Sequence, residues 1–134
     1  LPKKLKILLQ ERRAGFTYGG RKSQNALLNP EDRDRAPVFH SLIRSHPETG
    51  RKALYFDPGK IVRIEGLEAA ESDDIIDELT ERMIVSGADY THNWQVGDIV
   101  IWDNRCLVHK AAGNYPPTED RIHWRLSIKE SVAK

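Results

Sequence analysis

Gly97-Asp98-Ile99-Val100-Ile101-Trp102-Asp103-Asn104-Arg105-Cys106-Leu107-Val108-His109-Lys110-Ala111, followed by Arg121-Ile122-His123-Trp124-Arg125-Leu126-Ser127-Ile128-Lys129, carries the clearest strand pattern in the chain. In its second part Ile122, Trp124, Leu126 and Ile128 alternate with Arg121, His123, Arg125 and Ser127. That is the period-two pattern of a strand with one apolar face. Its polar face carries Arg121 and Arg125, whose α-carbons stand about 13 Å apart at a rise of roughly 3.3 Å per residue. The first part predicts strands over 98–102 and 107–111, with Asp103 and Asn104 shaping the turn between them. A neutral imidazole is a normal ligand for Fe(II), and a planar guanidinium is a fork shaped for a carboxylate. Alone, the last strand reads as one with its polar side in water; with His109 able to lie beside that same face, the arrangement suits a metal and an anion.

Further strands are expected upstream. Residues 39–44, 53–56 and 61–64 read as strands, separated by tight turns at Pro47-Glu48-Thr49-Gly50 and Asp57-Pro58-Gly59. Residues 69–85 read as a helix with Ile75, Ile76, Leu79 and Met83 on its apolar side. Glu71, Asp73 and Asp74 crowd its start, where the helix dipole favours negative charge, so they read as a solvated helix start and not a metal cluster. Residues 90–94 add another strand, with a turn at Val96-Gly97. At the N-terminal end, 1–14 reads as a helix and 15–36 as a long polar surface loop. Gly19-Gly20 lacks the spacing of a phosphate cradle and reads as a turn. Short strands with one inserted helix point to an antiparallel sandwich or jelly-roll. Residues 1–134 read as one domain, or part of one.

Composition narrows the classes of function. The chain has 134 residues, enough for one domain, with 21 basic and 20 acidic residues and a formal charge of +1. Neither nucleic acid nor an anionic membrane surface is an expected partner, and no motif that reads bases is present. No apolar run approaches the ~20 residues needed to span a bilayer. Cys106 is the single cysteine, so no internal disulfide can form and a cytoplasmic address is expected. It reads as a small half-buried residue beside the histidine, without a base next to it. The chain begins at Leu1 and not at methionine, which suggests a processed or truncated product.

The run 97–111, the segment 39–59 (FHSLIRSHPETGRKALYFDPG), Arg63-Ile64-Glu65-Gly66-Leu67 and Glu71-Ser72 together closely resemble the taurine/2,4-dichlorophenoxyacetate (TauD/TfdA) dioxygenases, across about 1–128. The resemblance implies a mostly β fold with helices, the C-terminal part of a double-stranded β-helix (jelly-roll) with an inserted helix. It implies an oxidoreductase using Fe(II) and 2-oxoglutarate to hydroxylate a small anionic substrate, sulfonate- or carboxylate-bearing, with O2, releasing succinate and CO2. His109 matches the family's distal iron ligand, and Arg121 the arginine that holds the far carboxylate of 2-oxoglutarate. Arg125 matches the arginine that meets the acidic group of the substrate. The family's other two ligands, His-x-Asp or His-x-Glu, lie upstream of the matched region. His46-Pro47-Glu48 spells His-x-Glu but falls in the family's turn, which is not the iron site, and His40, His92 and His123 likewise read as structural or as supporting residues behind the ligands. Lys60 stands where taurine-cleaving relatives carry an aromatic residue, which argues against taurine itself.

Two readings follow from these residues. One is part of such an enzyme, inactive by itself. The other is a truncated, non-catalytic β-rich fragment or anion-binding subunit. In either case a sheet with an open apolar face is expected to belong to a larger protein or to associate with another copy.

Overall fold

A computed structural model describes residues 1–21, 32, 35–85, 89–111, 113, 116, 118, 120 and 122–128. Their element order is α1 (Lys3–Leu9), β1 (Arg13–Phe16), β2 (Val38–Ser41), β3 (Ile43–Ser45), β4 (Lys52–Leu54), β5 (Ile61–Ile64) and α2 (Ala69–Val85). β1 is the middle strand of an antiparallel sheet in the order β2-β1-β5, and β3 and β4 form a separate antiparallel pair.

The helix expected over 1–14 ends early, at Leu9. Arg13 and Ala14 belong instead to β1, where Ala14 pairs with His40 on one side and Ile64 on the other. Two ladders satisfy this backbone from both edges, which outweighs one more turn of a short lysine-rich helix. The remaining helix keeps the expected face, with Leu5 and Leu9 buried one turn apart. The loop expected from residue 15 starts later for the same reason, since Gly15 and Phe16 complete β1. Most of it, 22–31 and 33–34, lies outside the described residues.

The strand expected over 39–44 is two strands in two sheets. They part at Leu42, whose side chain is fully buried. Its N–H donates to the Arg12 carbonyl at 3.0 Å, and its own carbonyl accepts from Tyr55 N–H at 2.7 Å. One residue thus feeds both sheets, and the chain must turn a corner there. The 46–50 turn forms as expected, closed by Gly50 N–H on the His46 carbonyl at 2.8 Å with Gly50 at φ +67°.

β5 carries a bulge. Its register against β1 jumps from Arg63 to Ile61, leaving Val62 as the extra residue. Ile61 and Ile64, three positions apart, consequently both reach the core. There they join Leu5, Leu9, Ala14, Leu42, Phe56, Ile75, Ile76 and Leu79. α2 packs on β5 with Ile75, Ile76 and Leu79, while Met83 sits at the partly exposed margin of the stripe. Buried Ser72 on α2 accepts the Ile64 N–H at 2.9 Å, joining helix to strand by a polar bond inside the core. Asp73 and Asp77 of α2 both pair with Arg21, so the acidic helix start anchors the chain after β1.

Beyond α2 the structure departs from expectation. The strands expected over 90–94, 98–102, 107–111 and 121–129 do not form among the described residues. Arg121 and Lys129 lie outside them. A strand requires a neighbour to complete its ladder, and a cover for its apolar face. Here Ile99, Ile101, Ile122, Trp124, Leu126 and Ile128 are all exposed, Trp124 at 96% and Ile128 at 99%. The turn at 96–97 does form, with Gly97 at φ +95° and Asp98 N–H on the Gln95 carbonyl at 3.1 Å. Among the described residues the strands close no barrel. No helix among them is long and apolar enough to cross a membrane.

Candidate functional site

The turn ahead of His109 is built by Asp103. Its carboxylate accepts Arg105 N–H at 2.8 Å, and its carbonyl accepts Leu107 N–H at 3.1 Å, which reverses the chain. Arg105 then folds back on the same carboxylate, with Nε at 2.9 Å from one oxygen and Nη2 at 2.7 Å from the other. Asn104 accepts the Trp102 indole N–H at 2.8 Å. Asp103 and Asn104 therefore shape this turn, as their sequence position suggested. Cys106, expected to be half-buried, is exposed, although its N–H donates to the Asp103 carbonyl at 3.3 Å within the turn.

The turn also meets the body of the protein. His46 Nε2 lies 2.9 Å from Asp103 Oδ2, and Arg105 reaches Glu48 at 3.6 Å. His46 Nδ1 accepts two backbone N–H groups of its own turn, from Glu48 and Thr49, each at 3.3 Å. That places the ring proton on Nε2, which donates it to Asp103. The Arg105 fork, then His46, then the Arg105 backbone N–H hold the Asp103 carboxyl well below the usual carboxylate range.

Trp102 packs against His109, ring centroids 4.8 Å apart. His109 and Arg125 line one cavity of about 1140 Å³, together with Phe16, His40, Tyr55 and Lys60. Arg121 lies outside the described residues. Lys60 is held by Asp57 at 3.3 Å on the same cavity wall. His40 packs edge-on to Tyr55 at 5.2 Å, and Arg44 covers the other ring at 4.2 Å. Burial, then the charges of Arg44 and Arg13, push His40 below its ordinary value. His92 is held between the Tyr90 hydroxyl and Asp98, each at 2.9 Å, and His123 meets Trp94 edge-on, ring centroids 4.8 Å apart. These three histidines hold packing and turns together.

An Fe(II) site of the facial type needs two imidazoles and a carboxylate. Among the described residues no such set gathers round His109. The group of possible ligands that does come together is His46, Asp103 and Cys106, with ligand atoms within 4.8 Å of one another. It does not fit iron. His46 presents its proton to Asp103, both Asp103 oxygens are occupied by Arg105 and His46, and a guanidinium sits where a cation would have to enter. Sequence reasoning missed the His46–Asp103 bond, since nothing in a separation of 57 residues signals a contact.

The chain matches the model of the taurine catabolism dioxygenase TauD, TfdA family over residues 1–127. It is 42% identical over 88 residues to the (S)-phenoxypropionate/alpha-ketoglutarate-dioxygenase of Sphingobium herbicidovorans, covering 65% of this chain and 30% of that protein. It is 33% identical over 126 residues to the alkylsulfatase of Acinetobacter baylyi, covering 87% of this chain and 38% of that one. The crystal structure of a putative alpha-ketoglutarate dependent 2,4-D dioxygenase from Burkholderia xenovorans superposes with a TM-score of 0.68 at 32% identity, over 79% of this chain and 42% of that one. AAD-2 in complex with Mn(II) and N-oxalylglycine gives 0.65 at 26% identity, over 79% and 43%. The chain thus spans less than half the length of each of these relatives, within a jelly-roll dioxygenase fold. On the residues matched, it belongs to the TauD/TfdA family of dioxygenases.

Proposed function

We propose that this chain forms part of an Fe(II)/2-oxoglutarate-dependent dioxygenase that hydroxylates a small anionic organic substrate. In this reading His109 is one iron ligand, Arg121 the anchor for the far carboxylate of 2-oxoglutarate, and Arg125 the anchor for the acidic group of the substrate. The observation that carries it is that His109 and Arg125 line the same cavity. Bound iron would supply oxygen activation and polarisation of the keto group. The residues of this chain supply an imidazole donor and charge complementarity. The relatives named above act, by name, on phenoxypropionate and alkyl sulfates, which supports a substrate that carries an acidic group. A cytoplasmic address goes with a lone cysteine and with ferrous chemistry.

The test uses the full-length protein with Fe(II), ascorbate and 2-oxoglutarate, scoring succinate. His109→Ala is expected to abolish turnover. Arg121→Ala is expected to weaken mainly 2-oxoglutarate, by on the order of 3–5 kcal/mol, because a buried carboxylate is left unpaired. Arg125→Ala is expected to weaken the primary substrate more than 2-oxoglutarate. Reversed effects of the two arginines would mean that their roles are interchanged. Undiminished turnover in His109→Ala would remove His109 from the iron site, whereas a wild type that forms no succinate would leave the non-catalytic reading in its place.

A further inference from the structure

We infer that His46 is a positioning residue for the reaction, acting through Asp103 on the segment that carries His109. The claim rests on the functional reading above, and it concerns residues that touch neither substrate nor metal. Two kinds of bond hold the 102–107 turn. Those inside it, from Arg105 and Leu107 to Asp103, give the turn its shape. They leave open where the turn sits relative to the sheets.

His46–Asp103 supplies that reference. It spans 57 residues and joins the 46–50 turn, hydrogen-bonded at its base to Arg51, to the turn ahead of His109. The His46 side chain is 13% exposed and that of Asp103 32%, so this bond is partly shielded from competing water, on the histidine side. The companion contact between Arg105 and Glu48 is longer and its carboxylate 72% exposed, so it orients little by itself. From Asp103 the constraint passes to His109 by two short routes. Leu107 N–H on the Asp103 carbonyl fixes the chain two residues before His109, and Trp102, next to Asp103, packs on its ring. Reacting geometries tolerate little error, and a displacement of about 1 Å can cost on the order of a hundredfold in rate.

The histidine's two nitrogens allow the bridge to be cut without disturbing its own turn. In His46→Asn the amide oxygen takes the place of Nδ1 and still accepts the Glu48 and Thr49 N–H groups, but no donor reaches Asp103. In His46→Gln the amide nitrogen takes the place of Nε2, and the bridge is kept. Both variants are made in the full-length protein. Amide hydrogen exchange is followed over 102–109 and, as a fold control, over β5 and α2. Steady-state kinetics are measured alongside.

His46→Asn is expected to speed exchange over 102–109 about tenfold and to lower kcat about tenfold, with KM for 2-oxoglutarate and exchange in β5 and α2 unchanged. His46→Gln is expected to restore both. Unchanged exchange over 102–109 in His46→Asn overturns the inference, and so does faster exchange with an unchanged kcat. In either of those cases an active wild type leaves the functional reading intact. A wild type that forms no succinate removes that reading, and the positioning role with it.

Discussion

Ile61 and Ile64 of β5 and the row Ile122, Trp124, Leu126 and Ile128 are equally apolar, yet the first pair is sealed and the second row stands in the open. β5 has a ladder partner in β1 and a cover in α2, and even a bulge is accommodated because both neighbours hold it. The 122–128 segment shows the cleaner alternation and has neither among the described residues. Alternation specifies which side of a strand will be buried. It does not supply the neighbour or the cover, and those decide whether a strand exists.

The largest expected effect follows directly from this contrast. Protein verified by mass as residues 1–134 alone should form no succinate from Fe(II), ascorbate and 2-oxoglutarate. One proposed ligand, His109, on a segment without a ladder among the described residues, cannot hold a metal that needs three donors. Iron-dependent turnover by that material, lost on His46→Ala or Glu48→Ala, would show that the His-x-Glu of the 46–50 turn binds metal after all.

How much of the molecule was legible follows the same division. α2 was read to the residue, because an apolar stripe between an acidic start and a glycine is local information. The 46–50 and 57–60 turns were equally local, set by proline, glycine and an aspartate that caps its own turn at 2.9 Å. Leu42 was misread as a strand interior, since its role as the corner between two sheets depends on Arg12 and Tyr55, both distant in sequence. At the site, the role of Asp103 in the turn was visible from its neighbours. Its bond to His46 was not. The roles proposed for His109, Arg121 and Arg125 rest on family resemblance, and the cavity shared by His109 and Arg125 is what geometry adds.

A second prediction measures the contrast in energy. In the 134-residue chain, Leu42→Ala should cost about 2–5 kcal/mol, because it empties a fully buried corner. Trp124→Ala in the same chain should stay within about 0.5 kcal/mol, the range of exposed substitutions. Urea unfolding followed by far-UV circular dichroism reports both. The comparison is sharpened by repeating Trp124→Ala in the full-length protein, where a covered strand face would raise its cost to about 3–5 kcal/mol. Equal costs for the two substitutions in the 134-residue chain would show that the 122–128 row is packed in solution, by another copy or otherwise.

The smallest effect is a dependence on pH that reports the packed body alone. His40 sits in β2 against Tyr55 and Phe16, and its burial, helped by Arg44 and Arg13, lowers it below its ordinary value of about 6.5. The folded protein therefore favours the neutral ring. Between the two values the unfolded chain binds more protons than the folded one, so stability rises with pH across that window. His40's contribution is complete above about pH 6.5 and is lost as the pH falls through the lowered folded value. Urea midpoints taken from about pH 8 to about pH 5.5 should accordingly decrease, and His40→Phe, which keeps a ring against Tyr55, should flatten that decrease. The same slope in His40→Phe as in wild type would place the titrating group elsewhere and leave the packed body without its own proton-linked contact.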